Sequence, residues 1–202
     1  MLAAALSAQA QPPGPAQDTS MGFFITSRGL GDGANLGGLA GADAHCAALA
    51  TAAGSNGKTW RAYLSTSNGV DARDRIGNGP WYNAKGELVA RNLDDLHYSN
   101  TNVTKERALD EAGQLVKGRG DDPNQHDILT GTKPDGTSSG MTCDDWTSNS
   151  ADGSANVGHF DRTGGGALAE SWNAAHASRG CGQENLIATG GNGYFYCFAA
   201  NE

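Results

Sequence analysis

The chain has 202 residues, of which 30 are glycine, and its 14 basic and 22 acidic side chains give a formal net charge of −8. The glycine content is about twice the usual value, but glycine does not recur at every third position, so a collagen triple helix is excluded. The acidic balance argues against a nucleic-acid binder, which needs a basic surface. With 38% hydrophobic residues, the chain predicts one loop-rich domain with a closed core.

The N-terminus predicts export. Residues 1–10 form a short apolar run that ends in Ala-Gln-Ala, a pattern typical of signal-peptidase cleavage, so we interpret them as the remnant of a signal peptide. Residues 11–20 contain three prolines and predict an extended linker, which leaves residues 21–202 as a single domain. No later stretch reaches the roughly 18 apolar residues of a transmembrane segment. We expect a secreted or periplasmic protein.

Cysteine usage agrees with export. An even number of cysteines in an exported chain favours disulfides, and two bridges are expected. None of the cysteines has the two-residue spacing of a zinc ribbon or a redox motif. Spacing alone leaves three pairings open for the four residues. They are Cys46, Cys143, Cys181 and Cys197.

The first half of the domain predicts a strand, a helix, a second strand and a hairpin. Residues 21–27 are apolar enough for a buried strand. Apolar residues recur at three- and four-residue steps over 39–54, which predicts an amphipathic helix with Cys46 on its buried face. Alternation over 59–65 indicates a half-buried strand. Residues 80–90 carry turn residues between two apolar pairs and predict a hairpin.

The second half is richer in loops. A short helix or turn is predicted at 92–98, and the polar residues 99–127 show no sustained periodicity and are interpreted as an insertion. Residues 147–171 are predicted as a Gly/Ser/Asn-rich loop. Further strands are predicted at 127–132, at 142–148 and, on either side of a turn at 190–193, within 186–200.

A set of residues with fixed spacing follows the first strand: Gly38, Gly41, Ala42, Asp43, Cys46, Gly57, Arg61, Ala62, Leu64 and Ser65. Together with the later Cys-Trp stretch and the terminal cysteine strand, this order resembles the endostatin-like group of C-type-lectin-like domains, in particular secreted bacterial members. The similarity extends over about residues 22–201. It implies an α+β fold with a mixed β-sheet, two helices, long loops and two disulfides. It also implies the nested pairs Cys46–Cys197 and Cys143–Cys181.

The resemblance gives structural roles to Asp43, Arg61 and Trp146, and it transfers few binding properties. The zinc of endostatin is held largely by histidines near the N-terminus, and residues 11–44 contain none. The net charge of −8 makes heparin-like polyanions unfavourable partners. The motifs of calcium-dependent sugar-binding lectins have partial matches only, at 172–174 and 183–185.

Candidate ligand-binding residues are polar side chains that alternate with aromatic rings in the late loops. They are Asp144, Asp145, His159, Asp161, Trp172, Asn173, His176, Glu184 and Asn185. Oxygen-rich side chains beside rings suit calcium or a stacked sugar, so calcium is the candidate cofactor, although the sequence establishes none. His159, Asp161 and His176 form an alternative set for a transition metal. The remaining alternative is that these side chains only hold the loops through hydrogen bonds.

No catalytic motif is present, and all four cysteines are better used as disulfides than as nucleophiles. We therefore expect a non-enzymatic, exported lectin-like module that recognises a glycan or an envelope or extracellular protein through its late loops. The alternative is an accessory or structural subunit that docks on a larger extracytoplasmic assembly without a small ligand.

Overall fold

A computed structural model describes residues 17–98 and 102–200. The predicted signal-peptide remnant, residues 1–10, lies outside the described residues, as does most of the predicted linker, residues 11–20. Within the described ranges, no helix is both long enough and apolar enough to cross a lipid bilayer.

The described ranges form a mixed α/β structure. Its strands are β1 (Phe23–Ile25), β2 (Thr59–Ala62), β3 (Trp81–Tyr82), β4 (Leu88–Ala90), β5 (Asp127–Leu129), β6 (Asn156–His159), β7 (His176–Ala177) and β8 (Gly191–Ala200). Its helical segments are α1 (Gly38–Ala52), α2 (Leu93–His97), α3 (Cys143–Trp146) and α4 (Gln183–Thr189). A 3₁₀ turn spans Ala72–Arg75.

The ten-residue strand β8 organises the main sheet. Strands β1 and β2 both pair with it antiparallel, so that Phe24 and Ala62 lie opposite Cys197. Strand β5 pairs with β8 in parallel, and the sheet continues through β6 to the short edge strand β7. The expected mixed sheet is therefore present. Strands β3 and β4 form a separate hairpin, as predicted.

Strand β8 is buried on both faces because its side chains alternate between two hydrophobic clusters. Phe195 and Cys197 join the cluster that α1 covers, which contains Leu49 and both disulfides. Tyr196 and Phe198 join an aromatic cluster on the opposite face, together with Trp172. Both faces of the sheet are thus closed.

Two disulfides are present with the pairing that the resemblance implied. The Cys46–Cys197 bridge, hereafter the outer bridge, ties α1 to β8 across a sequence separation of 151 residues. The Cys143–Cys181 bridge, hereafter the inner bridge, spans 38 residues and joins α3 to the segment before α4. The expected position of Cys46 on the buried face of the first helix is confirmed.

The prediction of a core strand at 142–148 is wrong. Residues Cys143–Trp146 instead form one helical turn in which all four φ angles are positive, between 48° and 69°. This left-handed turn is unfavourable for L-residues. It is held by the inner bridge, by a hydrogen bond from the Trp146 indole N–H to the Ser65 carbonyl at 2.7 Å, and by the Thr142 side chain at its start.

The prediction of two strands within 186–200 is half wrong, because Gln183–Thr189 is helical and only β8 is extended. Leu186 joins the hydrophobic cluster that contains Phe195 and Cys197 of β8, whereas its neighbour Ile187 is 47% exposed. The described residues thus contain four helical segments where the resemblance implied two. The polar segment 99–127 also contributes to the core, through Leu109 and other apolar side chains.

Candidate metal centre

Four side chains converge where strands β5, β6 and β7 lie side by side. Asp127 opens β5 and is the register partner of His159 at the end of β6. His176 opens β7, which pairs with β6 at Val157. The fourth residue, His126, immediately precedes β5. We refer to His126, Asp127, His159 and His176 as the His–Asp cluster.

The donor atoms of the His–Asp cluster are spaced like metal ligands. The Asp127 Oδ1 atom lies 3.2 Å from His126 Nε2, 3.1 Å from His159 Nε2 and 3.6 Å from His176 Nε2. The Nε2 atoms of His159 and His176 are 2.9 Å apart. A tetrahedral zinc ion with bonds of about 2.0–2.1 Å separates its ligand atoms by about 3.3 Å. The donor atoms of His126, Asp127 and His159 all lie within 4.8 Å of one another, which is compact enough to surround one ion, and His176 contacts two of these three residues.

The second ring nitrogen of each histidine fixes the tautomer. Nδ1 of His126 contacts a carboxylate oxygen of Asp161 at 3.2 Å, and Nδ1 of His159 contacts the carbonyl oxygen of Ala169 at 2.8 Å. Nδ1 of His176 contacts the carbonyl oxygen of its neighbour at 3.1 Å. Because these oxygens only accept, each Nδ1 carries a proton, and each Nε2 presents a lone pair when its ring is neutral. Three lone pairs and a carboxylate thus face one another.

A buried carboxylate that faces three imidazole lone pairs needs a positive charge nearby to be stable. Asp127 is 2% exposed, and neither of its carboxylate oxygens has a hydrogen-bond partner with good geometry among the described residues. Burying a carboxylate in this state is strongly unfavourable. Burial lowers the pKa of His159, but the contact with Asp127 outweighs burial and raises that pKa above the ordinary value. A metal ion supplies the same positive charge.

The ring packing limits how much charge protonation can supply. The imidazoles of His126 and His159 are stacked, with centroids 4.1 Å apart and planes 12° from parallel. Two stacked imidazolium cations repel each other, so both rings cannot be protonated without cost. A single ion bound by both neutral rings avoids that repulsion.

The surrounding contacts orient the histidines in the manner of metal sites. Asp161 contacts His126 through Oδ1, and its Oδ2 accepts a hydrogen bond from the Arg119 main-chain N–H at 2.6 Å. Burial opposes ionisation of Asp161, but these hydrogen bonds outweigh it and hold its pKa well below the usual range. Gly164 allows the loop to approach the His159 ring, since a Cβ there would lie 2.8 Å from Nδ1.

Access to the cluster is from the side of β7. The side chain of His176 is 37% exposed, whereas those of His126, Asp127 and His159 are 6%, 2% and 2% exposed. An ion can therefore reach three buried ligands past one accessible histidine. The cluster therefore has one donor group accessible from solvent and three that are buried.

The structure brings together three of the sequence-predicted ligand candidates. His159 and His176 are members of the cluster, and Asp161 lies one layer outside it, against His126. The pair that sequence reasoning missed is His126-Asp127. Its available signal was a His-Asp dipeptide at the start of a predicted strand.

The other candidates lie elsewhere and make internal contacts. Asp145 accepts hydrogen bonds from the Ser67 N–H and the Thr142 hydroxyl, and Asp144 is exposed on α3. Glu184 and Asn185 belong to α4, where Glu184 is exposed and Asn185 is half-buried.

Trp172 and Asn173 are 3% and 1% exposed. The Trp172 indole N–H donates to the Leu96 carbonyl at 3.1 Å. The amide nitrogen of Asn173 donates to the Tyr63 hydroxyl at 3.0 Å and to two main-chain carbonyls. Both side chains are therefore engaged within the core.

Comparison with known proteins adds no assignment. No protein-family model matches the sequence, and no curated protein matches it significantly.

Proposed function

We propose that this chain is an exported metal-binding domain that holds one Zn²⁺ ion in the His–Asp cluster. The observation that supports it most directly is the convergence of three imidazole Nε2 atoms on the buried carboxylate of Asp127, whose oxygens have no hydrogen-bond partner of good geometry among the described residues. The two disulfides are compatible with the export that the proposal assumes.

The donor set favours zinc. Three imidazole nitrogens and one carboxylate oxygen match a four-coordinate zinc site with N and O ligands. Calcium takes six to eight oxygen ligands and magnesium also prefers oxygen, so the His–Asp cluster suits neither. A calcium site formed by other late-loop residues stays a separate prediction. Copper binds such donors more tightly than zinc in general, which makes it the competing ion to include in binding experiments.

The proposed role of the ion is structural. Four protein ligands complete a tetrahedral coordination sphere, whereas catalytic zinc sites keep one position for water. The ligands come from three adjacent strands and from the residue before β5, and two of them, His159 and His176, flank the loop 160–175. The ion would fasten this loop and the edge strand β7 to the sheet. This role agrees with the expectation of a non-enzymatic protein.

Metal analysis tests the proposal directly. The full chain, prepared metal-free, is titrated with Zn²⁺ by calorimetry, and the zinc content of protein purified from the oxidising compartment is measured by elemental analysis. We expect one ion per chain and at least about 100-fold weaker binding in His176→Ala, since a ligand is lost. His45→Ala is the matched control, because His45 is a partly exposed histidine that contacts the Arg28 carbonyl instead. Equal binding by both variants would contradict the proposal.

For the wider role, we propose recognition of a glycan or an envelope protein through the late loops. The supporting observation is a cleft of about 610 Å³ whose wall is mainly the loop 162–171. A glycan array distinguishes this role from docking without a small ligand. Saturable binding that Leu168→Asp weakens supports recognition through this loop, since Leu168 lines the cleft and is 48% exposed. A blank array favours docking.

A further inference from the structure

Arg162 lies between two clefts. It lines the cleft of about 610 Å³ and a smaller one of about 160 Å³, and Pro134 and Ser171 also line both. A cation shared by two adjoining clefts is a natural anchor for a ligand that carries negative charge.

The guanidinium of Arg162 is only partly satisfied by the protein. Its Nε–H donates to the Val103 carbonyl at 2.9 Å, and Nη1 is 3.4 Å from the Glu170 carbonyl. A guanidinium has five N–H donors, so these contacts leave donors for a ligand. Among residues 17–98 and 102–200, it forms no salt bridge with a carboxylate. Burial lowers the pKa of Arg162, which is the response of a cation that lacks a close counter-charge.

The backbone at this position is unusual as well. Arg162 has a φ of 54°, and its N–H donates to the His159 carbonyl in a tight turn. This left-handed conformation is unfavourable for an L-residue such as arginine, so contacts around the turn must hold it. The turn directs Asp161 to His126 and Arg162 to the carbonyls of Val103 and Glu170, so consecutive residues serve the metal centre and the clefts.

We propose that Arg162 binds the carboxylate of an acidic sugar, a uronic acid, in the larger cleft. A guanidinium pairs with a carboxylate through two parallel hydrogen bonds. The remaining lining includes Thr163, the Glu170 side chain and the glycine-rich main chain of 164–166, which offer hydrogen bonds to sugar hydroxyls. Among the described residues, no aromatic side chain lines this cleft, so recognition would depend on the guanidinium and on hydrogen bonds.

The net charge of the chain limits how many negative charges a ligand can carry. A net charge of −8 opposes a densely charged polyanion, whereas one carboxylate on a mostly neutral sugar meets a local cation. The exposed Glu170 carboxylate contributes to the electrostatic environment of Arg162. It repels an incoming anion, so replacing it with a neutral side chain should tighten binding.

The inference rests on the proposed recognition role of the late loops and is independent of the identity of the metal. Zinc-loaded full chain is titrated with D-glucuronate, with D-glucose as the neutral analogue and acetate as the bare anion, and binding is followed by NMR amide shifts. Glucuronate should bind at least about tenfold more tightly than glucose, which lacks the carboxylate that pairs with Arg162. It should also bind at least about tenfold more tightly than acetate, which lacks the sugar hydroxyls. Acetate binding as strong as glucuronate, or equal binding of glucose, overturns the inference.

Variants locate the site. Arg162→Gln removes the charge and the guanidinium and should weaken glucuronate binding by about tenfold or more. Arg162→Lys, which keeps the charge, should be intermediate, and Glu170→Gln should bind more tightly. Arg179→Gln is the matched control, since Arg179 is exposed and lies outside both clefts. Zinc content and melting temperature verify that each variant folds. If Arg162→Gln folds and still binds glucuronate, the inference fails. If only neutral glycans bind, the inference fails while the wider recognition role stands.

Discussion

The substitution Asp127→Asn separates a metal ligand from an ordinary buried hydrogen-bonding group. It preserves the shape of the side chain but removes the charge, and the new amide N–H can donate to a histidine Nε2. In the metal-free wild type, the buried Asp127 carboxylate has only histidine contacts of poor hydrogen-bond geometry among the described residues. We therefore expect the metal-free variant to be as stable as the metal-free wild type or more stable, because a poorly compensated buried charge is removed.

When zinc is bound, the wild type should be more stable than the variant. At a free zinc concentration of 100 times the dissociation constant, binding stabilises the native state by about 2.7 kcal/mol, which corresponds to roughly 5–11 °C in Tm for a domain of this size. Loss of the carboxylate ligand weakens binding by at least about 100-fold, so at the same zinc concentration only about 0.4 kcal/mol remains. Zinc should thus stabilise the wild type by about 2 kcal/mol more than the variant.

The assay is urea unfolding at pH 7.5 of wild type and variant, each with excess zinc and with chelator. Asp152→Asn is the control, because Asp152 is an exposed carboxylate away from the cluster. The reasoning is refuted if Asp127→Asn lowers stability equally with and without zinc, since Asp127 would then be a structural hydrogen-bonding residue. It is also refuted if chelator leaves the wild-type midpoint unchanged.

Three further outcomes are expected. Asp161→Asn should weaken zinc binding by about 10–100-fold in calorimetry without abolishing it, because Asp161 orients His126 and is not a ligand. Removing both cysteines of the outer bridge should lower the free energy of unfolding more than removing both cysteines of the inner bridge. The chain-entropy relation gives about 5 kcal/mol for the loop of 151 residues and about 4 kcal/mol for the loop of 38 residues. Equal losses in urea titrations would contradict this explanation. Hydrogen bonds from Arg91 lower the pKa of Asp95 to about 2. The stability that the ionised Asp95 contributes is therefore present above about pH 4 and is lost as the pH falls from about 4 towards 2. Over that range, the urea midpoint of Asp95→Asn should vary less with pH than that of the wild type.

Local periodicity in the sequence predicted several of the helices and strands. The three- and four-residue spacing around Cys46 correctly indicated α1, and the alternation in the terminal segment correctly indicated β8, because each pattern reflects burial of particular faces. The pattern failed where tertiary contacts override local preference. Residues Cys143–Trp146 adopt a left-handed turn that no sequence periodicity encodes, and it persists because the inner bridge and the Trp146 indole hold it.

The metal centre was accessible to sequence reasoning only in part. His159 and His176 stood out as polar residues in late loops, but their partners His126 and Asp127 are more than 30 residues earlier. What joins them is the antiparallel register of β5 with β6. That register depends on the whole sheet, so a list of residue spacings could not select Asp127 from the many other acidic residues.

The positions of His159 and His176 have a consequence for how the chain is cross-linked. Linked through one ion, they would close a loop of 17 residues, which lies inside the loop of the inner bridge, itself inside that of the outer bridge. His126 and Asp127 precede Cys143, so the same ion would also tie this loop to the chain outside the inner bridge. The chain-entropy relation gives about 3 kcal/mol for the 17-residue closure alone. The two outer closures respond to reductants, whereas the innermost would respond to metal supply alone. Metal binding would therefore fasten the loop 160–175 and the two clefts that Arg162 lines, and metal loss would release them. The disulfide-bonded part of the fold would stay intact in both cases.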